Sequence, residues 1–329
     1  MKTIHAGNPH DANRGTRLSS SYAIGLRGLP CPPHSSQKTS AAYKAWLRGH
    51  KEFEARVVSG GAVMSAAKLS AWCRADRIPS SAVVWRGRSL FDGAPLVAVV
   101  TGLRGDSANA KTGAGLAQLW ILREDLSPLS AISTGADKSI CGGCKHRGDG
   151  TGRKRSCYVS VKNAPRAVWS AYQRGRYQTM RPADVAVHLA SMGMGIRIGA
   201  YGDGAAIPVA VISALTSATR HTGYTHAWRE RPDLSPFLMA SCDTPAEQAH
   251  ASAEGWRTFR VRTSTQALSA REISCPASDE AGKRTTCSAC GLCNGATATD
   301  ARKDIAIVVH GIGVKAFTSS AAIPLTLVH

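Results

Sequence analysis

Apolar and polar positions change period several times along this chain. From 39 to 75, "TSAAYKAWLRGHKEFEARVVSGGAVMSAAKLSAWCRA" carries apolar side chains at helical spacing, broken at Gly60-Gly61, which predicts one or two helices. Three short apolar runs follow, "SAVVW", "PLVAVVTGL" (95–103) and "AQLWIL", and these predict strands. An irregular stretch rich in Gly and Arg covers 135–157. Beyond it the two periods alternate. "PRAVWSAYQRGRY" (165–177), with proline suited to a first turn, and "ADVAVHLASMG" read as helices. "GIRIGAYGD" (195–203) reads as a strand and "AIPVAVISALTSATRHT" as a helix. "GYTHAW", "PFLMASCD" (236–243) and "RTFRVRT" (257–263) are strands. Between the last two, "TPAEQAHASAEG" (244–255) is a helix with Thr244 as N-cap and Glu247 completing a capping box. "DIAIVVHG" (304–311) is the last core strand.

This rhythm predicts an α/β fold with a parallel sheet, of the partial (β/α) barrel type. Function in such folds collects at the carboxyl ends of the strands. Tyr201, Gly202, Asp203, His226, Cys242, Asp243, Arg262, Cys275 and His310 fall there. Three parts are expected: a flexible basic arm over 1–40, a helical extension over 41–88, and an α/β metal-binding domain over 89–329.

Composition adds a partner and a compartment. The 329 residues are 43% hydrophobic, enough for one large domain or two smaller ones. The net charge of +19 attracts polyanions, so nucleic acid, DNA or RNA, is the first partner to expect. The opening "MKTIHAGNPHDANRG" lacks the apolar stretch of a secretory signal. No run reaches the roughly 18 apolar residues of a membrane span. A reducing cytoplasm is therefore expected, where ten cysteines read as metal ligands and a few buried thiols.

Two cysteine groups carry the chemistry. "KRTTCSACGLCNG" places Cys287, Cys290 and Cys293 at C-x2-C-x2-C, with Cys275-Pro276 upstream as a fourth thiol. Four thiolates match a [4Fe–4S] cluster or tetrahedral zinc. Three ligands on one tight loop suit the corners of an iron–sulfur cube, whereas zinc ribbons favour two separated C-x2-C knuckles. The earlier group, "CGGCKHRGDGTGRKRSCYV", holds Cys141, Cys144, His146 and Cys157. These four would make a Cys3His zinc site; the three thiols alone would hold a cluster with one open iron. Arg147, Arg153, Lys154 and Arg155 between them would stabilise thiolates or hold a phosphate. One composite site for both groups is also open.

Other signals are weaker. Asp203 at the exit of "RIGAYGD" suits a ribose hydroxyl, a metal, a substrate amine or a helix cap, with Tyr201 and Gly202 beside it as cofactor contacts. Tyr224 and His226 share a strand face. "NAKTG" (109–113) lacks the upstream glycine of a P-loop.

Together, "CGGCKHRG…RSCYV", "RIGAYGD", "GYTHAW", "CPAS…TCSACGLCNG" and "VVHG" resemble a group of cysteine-rich proteins of bacteriophages and mobile elements. Some of that group look like distant relatives of radical-SAM barrels. The resemblance covers roughly 90–315 and implies a partial barrel with one or two iron–sulfur or zinc sites. The chain departs from radical-SAM enzymes in spacing: their C-x3-C-x2-C loop is absent, and Cys275 would fill the vacant corner, which sets S-adenosylmethionine apart from the expected cofactors. An enzyme of this kind would turn Asp203, His226 and Arg262 toward a nucleic-acid substrate in replication or modification. The rival from another class is a non-catalytic nucleic-acid-binding protein braced by zinc. A third is a host-takeover protein whose charge meets an acidic partner.

Overall fold

The computed structural model describes residues 79–105, 112–148, 154–297, 299–311 and 313–321. The expected basic arm, the helical segment 41–78, Cys31, Cys73 and most of "NAKTG" lie outside them.

The sheet opens with an antiparallel meander of β1 (Ser81–Arg88), β2 (Pro95–Thr101) and β3 (Leu116–Arg123). The link 89–94 is too short for a crossover, so β2 must return beside β1. Ser81–Arg88 therefore belongs to the sheet, and a boundary expected at 88 falls at the end of a strand. Next come α1 (Pro128–Ser133), α2 (Lys138–Cys141), α3 (Ala164–Gln173), the two-residue β4 (Gln178–Thr179) and α4 (Pro182–Ser191).

From there the expected alternation holds: β5 (Gly195–Tyr201), α5 (Val209–Thr216), β6 (Arg220–Thr225), β7 (Met239–Cys242), α6 (Pro245–Ala253) and β8 (Thr258–Arg262). The chain ends with β9 (Glu272–Ser274), α7 (Cys287–Cys290), β10 (Asp304–Val308) and α8 (Val314–Ala321). At α6 the Thr244 hydroxyl accepts from Glu247 N at 3.1 Å. The Glu247 carboxylate reaches back to the Asp243 N–H, one residue before the cap, at 2.8 Å.

The ten-stranded sheet runs β4-β1-β2-β3-β5-β6-β7-β8-β10-β9, parallel everywhere except within the meander. Among the described residues β4 and β9 each pair with one neighbour, so the hydrogen-bonded order is open. Among those residues, no helix is long and apolar enough to cross a membrane.

Side-chain alternation divides the sheet into two faces. Ile196, Ile198 and Ala200 of β5 join the main core with Val185 and Leu189 of α4 and Ile212 and Leu215 of α5. Each large aliphatic buried there stabilises the fold by about 1.5–3 kcal/mol. A second, smaller core holds Met239, Cys275, Ala277, Ile305 and Ile307, flanked by Tyr224, Phe259, Val261 and Leu292. Arg260 and Glu272, both almost wholly buried, join β8 to β9 through two 2.7 Å hydrogen bonds.

Candidate metal centre

Alternate residues of five neighbouring parallel strands line one cavity of about 420 Å³: Arg197, Gly199 and Tyr201 of β5, Thr222 and Tyr224 of β6, Ser241 of β7, Phe259 and Val261 of β8, Ile305 and Ile307 of β10. Five strands aim side chains into one volume only where the sheet curves around it. Cys141, Cys144 and Cys157 line the same cavity, and so do Cys275, Cys287, Cys290 and Cys293. The two groups thus share one space, and all seven thiols are free of disulfides.

The late loop is built around a single helical turn. Thr286 caps α7, and Cys287 and Cys290, three apart, lie on one side of it. Gly291 then takes a left-handed φ of 63°, which reverses the chain and returns Cys293 toward the sheet. The Cys293 carbonyl accepts from Gly223 N at 2.9 Å. The buried Arg257 guanidinium donates to the carbonyls of Leu292 (2.6 Å) and Asn294 (2.9 Å). Gly295 passes so close to Pro236 that a Cβ would lie 2.1 Å from its carbonyl carbon. Cys275 follows β9 and is held by Cys275 N donating to Ala306 O at 2.8 Å. Burial pushes the Cys293 thiol up to about 12 against the pull of the Tyr224 hydroxyl bonded to it, and the Cys275, Cys287 and Cys290 thiols add to the rise.

The early loop leaves α2 through Gly142, where a Cβ would lie 2.8 Å from the Phe91 ring. The N–H groups of Ser156 and Cys157 both donate to His146 O, at 3.1 and 3.0 Å, and bring Cys157 back beside the first two cysteines. Buried Asp137 fixes the loop by pairing with Arg147 (2.7 Å) and Arg155 (3.4 Å). Those two arginines therefore neutralise a carboxylate, and less of their field reaches the thiols than the sequence implies. Burial is also the main reason the Cys141 thiol titrates well above the ordinary range, with Cys144 and Cys157 contributing. A bound cation reverses that preference and draws the proton off a coordinating thiol.

His146 does not complete a Cys3His set. Its Nδ1 meets Ser156 Oγ and its Nε2 meets Asp243 Oδ1, each at 2.7 Å, so both ring nitrogens are engaged. The histidine beside Cys144 is His226, at the end of β6. Burial alone would lower its imidazole, but the Cys144 sulfur, Asp243 and Asp203 outweigh burial and lift it to about 10. The ligand atoms of His146, His226 and Asp243 all lie within 4.8 Å of one another. Lys145 Nζ sits 3.0 Å from Asp243 Oδ2, and with the two imidazoles it meets that carboxylate's need for positive charge, so we read the trio as a charge and proton network.

Two other expected roles change. Asp203 gives both oxygens to backbone N–H groups, Ala205 at 2.9 Å and His226 at 2.8 Å, while its own N–H donates to Ile140 O at 2.6 Å. It ties β5 to β6 and to the early cysteine loop, and works as a positioning group. Arg262 turns away from the cavity, because Phe259 and Val261 are the inward residues of β8. Its guanidinium pairs with Glu280 at 2.8 Å and caps Gln266 O at 2.7 Å. Tyr201 and Gly202 do line the cavity; Gly202, at φ 81°, leaves no room for a Cβ, which would lie 2.7 Å from Ile121 O.

The spacing of the donors bears on the metal. A zinc tetrathiolate brings its sulfurs to about 3.8 Å from one another, the tetrahedral edge for a bond near 2.3 Å. Among the described residues no three cysteine sulfurs lie within 4.8 Å of one another. A cubane cluster spaces its thiolates more widely than a single zinc ion does. Beside Cys141, Cys144 and Cys157 three buried polar atoms have no protein partner: Tyr201 Oη, His226 Nε2 and Arg155 Nη2. Each such atom costs about 1–3 kcal/mol unless something answers it, and the sulfides and thiolates of a cluster are acceptors of that kind.

The sequence matches no protein-family model and, at a significant level, no curated protein, and the fold matches no solved structure.

Proposed function

We propose that the protein is a cytoplasmic iron–sulfur enzyme of the phage and mobile-element type it resembles, with a partial, radical-SAM-like barrel whose cavity receives a component of a nucleic acid. One observation carries this reading: seven cysteines from two distant chain segments face one cavity. Thiols that merely braced surface loops would have no reason to converge there. Cys275, Cys287, Cys290 and Cys293 supply the four ligands of a [4Fe–4S] cluster. Cys141, Cys144 and Cys157 supply three ligands of a second centre and leave one position open. Clusters of this kind supply one-electron transfer or a Lewis-acidic iron to a substrate beside them.

The chain's own groups complete the site. The Tyr224 hydroxyl donates to the Cys293 sulfur and steadies its anionic form. His226, with Asp243 and His146 behind it, holds a proton beside Cys144 and can deliver it into the cavity. Asp203 fixes the His226 backbone. The charge of +19 draws a polyanionic substrate to this mouth.

Anaerobic purification with iron and sulfide analysis tests the reading. Brown protein absorbing near 400 nm is expected, with about four iron and four sulfide per centre. Cys287→Ala with Cys290→Ala removes one centre and leaves the other. Colourless protein carrying stoichiometric zinc overturns the proposal in favour of the zinc-braced binder. Binding to random-sequence DNA or RNA should weaken steeply with salt.

A further inference from the structure

Arg197 is the cation that the proposed chemistry leaves unused. It stands on β5 in phase with Gly199 and Tyr201 and faces the cavity. Tyr158, Tyr224 and Cys287 surround it, and its Nη2 donates to the Tyr158 hydroxyl. Among the described residues it makes no ion pair, in contrast to Arg147, Arg155, Arg257, Arg260 and Arg262, each of which has a carboxylate. Asp203 is the carboxylate on the cavity lining, and both its oxygens are committed to backbone groups. Tyr158 takes one of the five N–H donors of the Arg197 guanidinium, and an entering anion can take a parallel pair of the others.

The position of Tyr158 says where that anion sits. The tyrosine is 51% exposed and still lines the cavity, with His310 against its ring at 6.2 Å. It therefore marks the mouth and draws the arginine fork toward solvent. Below it the walls are apolar: Phe259, Val261, Ile305 and Ile307. The cavity of about 420 Å³ is shared between whatever the cysteines hold and a small organic molecule, and its apolar walls and cationic mouth suit one with a charged head and a flat body. Arginine's planar fork matches phosphate through two parallel hydrogen bonds.

We infer that Arg197 and Tyr158 form an oxyanion subsite at the cavity mouth that takes the phosphate of a nucleotide, whose base and sugar then lie between the two cysteine groups. This rests on reading the cavity as a substrate site. It deepens that reading by naming the substrate class as a nucleoside monophosphate, free or at an unpaired position in a strand. Phosphate is favoured over carboxylate because a chain of charge +19 gathers phosphate polyanions.

The test is calorimetry on anaerobically purified protein with adenosine and thymidine monophosphates, the matching nucleosides, and benzoate as a carboxylate. Monophosphates should bind at least about tenfold more tightly than nucleosides, the usual effect of one charge-assisted contact pair. Arg197→Gln should abolish that preference while nucleoside binding persists. Tyr158→Phe should reduce it severalfold with the iron content and visible spectrum unchanged, and it keeps the test decisive if Arg197→Gln fails to load iron. Equal binding of monophosphates by Arg197→Gln and the parent protein overturns the inference. So does benzoate competing as well as a monophosphate, or iron-loaded protein with no phosphate preference. An Arg197-dependent preference in protein that carries no iron leaves the subsite standing and removes the cluster.

Discussion

Arg257 offers the sharpest test of how the late cysteine loop is held. The side chain is 2% exposed. Its Nη1 donates to Leu292 O at 2.6 Å and Asn294 O at 2.9 Å, and its Nη2 to Lys303 O at 3.0 Å. Arg257→Met keeps the stem and deletes every donor. A hydrogen bond from a charged group contributes about 1.5–3 kcal/mol, so these three backbone contacts alone would total more than 4 kcal/mol if independent, beside the weaker contacts with Asn294 Oδ1 at 3.2 Å and Asp300 at 3.8 Å. They are not independent: they share one guanidinium, and the carbonyls regain water once the loop lifts. A loss of about 3–5 kcal/mol is expected, as for breaking a buried charged contact, out of a typical 5–15 kcal/mol. Urea unfolding of the metal-free protein reads that loss. The loop should also open before the rest, so the half-buried Cys293 thiol, hydrogen-bonded to Tyr224, should react with a thiol reagent far faster than in the parent. A variant within about 0.5 kcal/mol of the parent, with Cys293 still unreactive, would refute this account of the loop.

Three further outcomes follow from other contacts. Glu272→Gln breaks the buried pair with Arg260 and should cost about 3–5 kcal/mol at neutral pH. Burial pushes the Glu272 carboxyl up, but Arg260 and the Ser269 N–H outweigh it and hold it below its ordinary 4.5. The pair's contribution is thus present above pH 4.5 and lost as pH falls through the lower folded value, so the variant should show a flatter acid limb in unfolding against pH. Gly202→Ala forces a side chain into a left-handed φ and against Ile121 O, and should lower stability by about 2 kcal/mol or more in thermal unfolding. Asp203→Ala strands the N–H groups of Ala205 and His226; a loss of about 1–3 kcal/mol is expected, and unchanged stability would contradict its role as a tie between strands.

Much of the second half of the fold was legible because its signals are local. The run from "RIGAY" to "DIAIV" places β5 to β8 and β10 within a few residues, and the Thr244 cap marks α6 directly. β9 was not legible: "EIS" is too short to show alternation, and it is held by the distant Arg260. The antiparallel meander was missed because apolar runs alone do not state strand direction. The cysteines announced themselves by spacing, but their meeting in one cavity depends on strand order, which spacing does not encode. A position at a strand end does not by itself state a face, so the sequence leaves Arg262 on either side; Phe259 and Val261 fix the phase and turn it outward. The same rule would have found Arg197, in step with Gly199 and Tyr201, and no motif points to it. His146 satisfied a ligand spacing, yet Asp243, far along the chain, claims its nitrogen.

β10 lies between β8 and β9, although both precede it in the chain. Cys275, just after β9, is anchored on Ala306 of that late strand. A nascent chain that stops short of Asp304 already contains all seven thiols, but Cys275 has no Ala306 carbonyl to hold it. Cys275 therefore takes its place beside the late loop only once β10 has been made and inserted between its two neighbours, which makes the last strand of the sheet the one that completes the lining of the cavity.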